Sequence, residues 1–175
     1  MPHLKLHLST CIALTIACSA TFTAPVRAAT FMREETAMSA ETCQAALPAF
    51  DSNIRKRPLA LMNEGSRSSF VTCAFAGVND FIPFTLGIEI YLTNSDVTHH
   101  TITCTLVDGR TGFSNPLYVP RALSVAPGGG LQKISWIRGD SAETQVAGFV
   151  YPAVSCVLAP KTGIRFSTRF YNEEH

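Results

Sequence analysis

The chain has 175 residues, of which 46% are hydrophobic and 15% charged, with a formal net charge of +1. That length suits one domain with a short appendage, and the composition excludes a disordered, collagen-like or coiled-coil chain. Near-neutral charge gives no support for a nucleic-acid surface or a polybasic membrane patch.

Residues 1–28 read as a secretory signal peptide. Lys5, with His3 and His7, makes a weakly basic start, and residues 8–20 are uncharged and largely apolar. Val26-Arg27-Ala28 then offers a cleavage site after Ala28. The apolar run is shorter than the ~20 residues of a spanning helix, so no membrane span is expected after signal removal. Loss of the signal removes Cys11 and Cys18 and leaves four cysteines, Cys43, Cys73, Cys104 and Cys156. An even count in an exported chain reads as two disulfides, and localisation is expected to be periplasmic or secreted. No C-x-x-C spacing occurs, which argues against a zinc knuckle or a thioredoxin-like pair.

Residues 29–40 are small, polar and mixed in charge, and are expected to be a flexible leader; residues 41–175 are expected to form a single domain. Glu41 to Phe50 suggests a short helical turn carrying Cys43. Asp51 to Pro58 reads as an exposed polar segment. From Phe70 onward the pattern is period two, the signature of half-buried strands. Val71, Cys73 and Phe75 alternate with polar or small residues. Leu86, Ile88, Ile90 and Leu92 share one face, as do Ile102, Cys104 and Leu106; with the turn residues Asn94-Ser95-Asp96 between them, these two segments predict a hairpin. Gly128-Gly129-Gly130 forces a turn before Ile134 and Trp136. Val154, Cys156 and Leu158 form an inward set, and Ile164, Phe166, Thr168 and Phe170 another. The fold class is therefore all-β: an antiparallel β-sandwich, immunoglobulin-like or jelly-roll-like, with two disulfides and a short N-terminal helical turn. A closed barrel is the alternative. No internal repeat is evident.

Cys73, Cys104 and Cys156 lie mid-strand on the aliphatic side, so they point into the core, where a cystine between facing sheets would tie a sandwich together. Four cysteines allow three pairings; sequence order and the inward faces favour Cys43–Cys73 and Cys104–Cys156, worth roughly 3.5 and 4 kcal/mol in loop-closure terms. Asn63 ten residues before Cys73, Cys104 in an alternating strand, the segment Tyr151-Pro152-Ala153-Val154-Ser155-Cys156-Val157-Leu158-Ala159-Pro160, and Gly163-Ile164 opening a last strand with Tyr171 and Glu173 carry a resemblance. The layout resembles small exported bacterial proteins, mostly uncharacterised, with four cysteines and an all-β fold. The resemblance spans roughly Cys43 to Glu173 and implies a sandwich and export, with no catalytic residue to transfer.

Candidate chemistry is sparse. Asp96, His99 and His100 share a turn, but adjacent histidines on a strand face opposite ways, and no metal or cofactor is expected. Lys161-Thr162-Gly163 copies a motif of penicillin-interacting serine enzymes, yet their Ser-x-x-Lys and Ser-Asp-Asn are missing. Arg138-Gly139-Asp140 is an adhesion-type tripeptide in an expected exposed loop, and is the candidate interaction loop. The functional expectation is an exported, non-enzymatic binding or structural surface module. Its partner would be another exported protein or a cell-surface component, not nucleic acid. An inhibitor or accessory subunit acting through loops such as Pro116 to Pro127, and a hydrolase built around His99 or His100, are the alternatives.

Overall fold

A computed structural model describes residues 30–47, 53–75, 85–109, 116–128, 130–144 and 148–174; the signal-peptide reading lies outside them. In chain order the elements are β1 (Thr30–Met38), α1 (Ser39–Thr42), β2 (Cys43–Ala45), β3 (Ile54–Arg57), β4 (Ala60–Asn63), β5 (Ser69–Ala74), β6 (Thr85–Asn94), β7 (His100–Asp108), β8 (Leu117–Val125), β9 (Gln132–Ile137), β10 (Pro152–Leu158) and β11 (Thr162–Glu174). The first sheet runs β3-β4-β11-β6-β9, with β1 added on β11; the second runs β2-β5-β10-β7-β8. Every pairing is antiparallel.

The apolar faces of the two sheets share one core that includes Leu61, Ile88, Ile90, Ile102, Leu106, Trp136 and Ile164. The steps β4 to β5, β6 to β7, β8 to β9 and β10 to β11 each change sheet. Strands β4-β11-β6-β9 against β5-β10-β7-β8 are the order of a jelly roll, two Greek keys closed into a double sheet. This topology corrects the expected hairpin. β6 and β7 are not paired; they sit in different sheets, with their apolar faces turned toward each other across the core. Alternation alone marks an apolar face and cannot say whether the next strand lies beside it or opposite it.

Two buried asparagines make these crossings. Asn63 donates its Nδ2 to the carbonyls of Arg67 (2.8 Å) and Leu158 (2.9 Å), while its Oδ1 accepts from Gly65 N (3.0 Å). Asn94 repeats the arrangement with Thr98 (2.7 Å), Val125 (3.0 Å) and Asp96 N (2.9 Å). Each side chain closes its own turn and grips the last residue of a second-sheet strand, β10 or β8. Each also stands ten residues before a core cysteine, Cys73 or Cys104. The β4–β5 and β6–β7 units are thus an internal structural repeat, hard to see in sequence because only Leu61/Leu92, Asn63/Asn94, Thr72/Thr103 and Cys73/Cys104 recur in it.

The cystines are Cys43–Cys73 and Cys104–Cys156. Both join directly opposed residues of neighbouring strands within the second sheet. They do not tie the two sheets together as expected; they cross-link one of them.

Thr30–Met38, expected as part of a flexible leader, is strand β1 along β11. Its sequence has no apolar face, so periodicity could not reveal it. Backbone pairing holds it, with Arg33–Glu173 (2.5 Å), Glu35–Arg169 (2.6 Å) and a Thr36–Thr168 hydroxyl contact (3.0 Å). Arg55-Lys56-Arg57, within the expected exposed polar segment, lies in strand β3, and Pro116 to Pro127, expected as a loop, is almost entirely the edge strand β8. The helical turn precedes Cys43, which opens β2.

Candidate functional site: a groove on the outer face of the first sheet

The last strand departs from its sequence pattern. β11 has a register irregularity against β6 between Ile164 and Phe166. An extra residue in one strand reverses the facing of everything beyond it. Ile164 is in the core, but Phe166, Thr168 and Phe170 turn to the outer face, while Ser167 and Arg169 turn inward, opposite Ile90 and Ile88. The expected inward set is thereby split, and two aromatic rings are moved onto the molecular surface.

The register of β9, β6, β11 and β1 arranges that surface in rows across the strands. Lys133, Tyr91, Phe166 and Met38 form the first row. Ser135, Glu89, Thr168 and Thr36 form the second. Ile137, Gly87, Phe170 and Glu34 begin the third. A polar row thus runs between two largely apolar ones. Tyr91 and Phe166 stack with ring centroids 4.2 Å apart. In the third row the Ile137 and Phe170 side chains lean over Gly87: a Cβ there would lie 2.6 Å from Ile137 Cδ1 and 3.2 Å from Phe170 Cδ2. Only glycine leaves room for these two side chains to close over the strand. Both of them line a neighbouring groove of about 450 Å³, together with Met32, Leu86, Glu89 and Arg138.

Two charges mark the groove. Glu89 accepts hydrogen bonds from Lys133 Nζ (2.5 Å), Tyr91 Oη (2.7 Å) and Ser135 Oγ (3.2 Å). Burial pushes its pKa up, but the bonds from Lys133, Tyr91 and Ser135 together outweigh it, and the carboxyl is held below its ordinary value. In return, the bond to Glu89 raises the pKa values of Lys133 and Tyr91. Glu89 is thus a fixed anion with its own counter-ion. Arg138 stands in the tight turn after β9. Its backbone N–H donates to Leu86 O (2.8 Å), and Gly139 takes φ +84°, a left-handed conformation that suits glycine.

The candidate loop Arg138, Gly139, Asp140 is exposed, and its two charged ends are used differently. Arg138 lines the groove. Asp140 folds back: its carboxylate accepts from Ile137 N (3.2 Å) and lies 3.8 Å from Arg121. The four cysteines are in the core and away from this face.

The Asp96 turn is built around His100 rather than His99. His100 Nε2 is 2.8 Å from Asp96 Oδ2 and 3.4 Å from Thr98 Oγ1, and Lys161 Nζ is 3.1 Å from Asp96 Oδ1. A catalytic triad places its acid and its nucleophile on opposite ring nitrogens; here both meet the same one. The contacts with His100, the Val97 N–H and Lys161 hold the Asp96 carboxyl well below the usual carboxylate range. Among the described residues no group of three or more metal-ligating side chains occurs.

No protein-family model and no curated protein matches this sequence. Among solved structures, the chain is similar to the C-terminal CBM6 of LamC, a marine laminarinase from Zobellia galactanivorans. Identity is 12% and the TM-score 0.45, covering 79% of this chain and 99% of that one. It is also similar to the GH26-CBM35 β-(1,4)-mannanase of Podospora anserina, at 7% identity and a TM-score of 0.44, covering 81% of this chain. The likeness spans only 28% of the length of that mannanase. An F5/8 type C domain from Bacteroides fragilis matches at 9% identity and a TM-score of 0.39, over 85% of this chain and 99% of that one.

Proposed function

We propose that the protein is an exported, non-catalytic binding module that holds its ligand in the groove lined by Ile137 and Phe170. The observation that carries this reading is the groove itself. It is an apolar depression of about 450 Å³ with a compensated carboxylate and a guanidinium on its lining, within the size range of small-ligand sites. Two of its lining side chains, Ile137 and Phe170, are seated by a glycine and by a strand irregularity.

Binding is testable with the uncharged dye N-phenyl-1-naphthylamine, whose fluorescence rises in an apolar site. Wild-type protein should bind it. Gly87→Val, which displaces the lining side chains Ile137 and Phe170, should abolish binding, and Thr103→Val on the opposite sheet should leave it unchanged. A signal indifferent to Gly87→Val would remove the groove from consideration. Export is tested separately by intact mass: secreted protein should begin at Ala29 or Thr30, and finding residues 1–28 on it would contradict the signal reading.

A further inference from the structure

We infer that the groove selects amphiphilic anions: an apolar body packs on Met32, Leu86, Ile137 and Phe170, and an anionic head group pairs with Arg138. The inference rests on the binding reading above and names its ligand class.

The charges of the lining carry it. Glu89 is matched by Lys133 at 2.5 Å, so its charge is already compensated. Arg138 has no ion pair or side-chain hydrogen bond among the described residues. The nearest acid in sequence, Asp140, is held by the Ile137 N–H and sits by Arg121. The other four lining side chains, Met32, Leu86, Ile137 and Phe170, are apolar and offer an anion nothing. The uncompensated charge of the lining is therefore one guanidinium, exposed at the rim and anchored through its backbone to the sheet. A guanidinium presents several N–H donors in a planar fork that fits carboxylate, sulfonate or phosphate oxygens. A ligand whose apolar part fills the groove places its head in water beside that fork. A cationic head group would meet repulsion there, and a neutral one would gain nothing from it.

A matched pair of dyes isolates the head group. 8-Anilinonaphthalene-1-sulfonate has the same apolar body as N-phenyl-1-naphthylamine plus one sulfonate. The wild type should bind the sulfonate about threefold to fivefold more tightly, the scale of an exposed charge-assisted pair, and the preference should shrink as salt rises. Arg138→Gln should abolish the preference for the sulfonate over the neutral dye, and Arg138→Lys should restore part of it. Competition by decanoate and by decyl phosphate, with decanol as the neutral control, separates carboxylate from phosphate head groups. A preference that survives Arg138→Gln, or equal losses for both dyes, would overturn the inference and leave the groove reading standing. Failure of wild type to bind either dye would overturn both. Near-ultraviolet dichroism of Trp136 confirms that each variant keeps its packing.

Discussion

Asn63 and Asn94 each satisfy buried carbonyls at a point where the chain leaves one sheet for the other. Replacing Asn94 by Ala should orphan the Val125 and Thr98 carbonyls and cost about 1–3 kcal/mol per group left buried, read by chemical denaturation. Asn94→Asp should also destabilise, since it keeps the shape and the Oδ1 acceptor but loses both donors. Trp136 is fully buried and donates its indole N–H to Val119 O (2.8 Å). Trp136→Ala should cost about 3–5 kcal/mol, whereas His99→Ala, at an exposed turn, should stay within about 0.5 kcal/mol. Equal midpoints for the two would contradict the core placement. Glu89 gives a pH dependence. Its folded-state pKa is lowered, so the unfolded chain binds its proton more readily than the folded protein does. The associated stability is present above the ordinary glutamate range and is lost as the pH falls through the lowered folded value. Glu89→Gln should therefore flatten the acid limb of the stability profile below about pH 4.3. An unchanged limb would mean that the bonds from Lys133, Tyr91 and Ser135 do not hold the carboxylate in solution.

Legibility differs from element to element. β6, β7 and β10 are plain in the sequence because each buries one face, and Ile88, Ile90, Ile102 and Val154 repeat at period two. β1 was not legible: its exposed side chains carry no pattern, and backbone pairing leaves no trace in residue type. β11 was legible as a strand but not in its facing, because nothing at Arg165 announces the irregularity that turns Phe166 and Phe170 outward. The groove depends on both of these strands, since β1 supplies Met32 and β11 supplies Phe170, and on Gly87, which in the sequence only breaks an apolar run. The residues of the candidate site were accordingly missed, apart from Arg138. Its position after the Trp136 strand could be read, but not its place on the groove lining. Deleting Arg165 tests this account. Phe166 would then follow Ile164 directly and pair with Tyr91 in regular alternation, with Phe166 and Phe170 still on the outer face and Ser167 and Arg169 still inward. The variant should therefore keep its dye binding. Loss of binding in a folded variant would show that Arg165 is not the residue that sets the facing of β11.

At the scale of the molecule, the sandwich class and the cysteine framework were legible, while the sheet order was not; it rests on sheet-changing steps that leave the same apolar alternation as hairpins. Both cystines lie in the second sheet, but at different depths: Cys43–Cys73 fastens the edge strand β2, and Cys104–Cys156 joins the inner strands β7 and β10. Replacing Cys43 and Cys73 with Ala should raise amide exchange around β2 and β5 first. The Cys104 and Cys156 replacement should raise exchange across the whole core, each pair costing about 2–5 kcal/mol. The first sheet has no covalent tie among the described residues, and its strands β1 and β11 run antiparallel with Thr30 opposite Glu174. Handles at those two positions would therefore leave from one spot, and a pull between them would load the pair as a zipper rather than in shear. Its hydrogen bonds would break a few at a time, at low force. The nine residues of β1 would come free first, lengthening the molecule by about 30 Å, until the tension reached Cys43 and met a covalent stop.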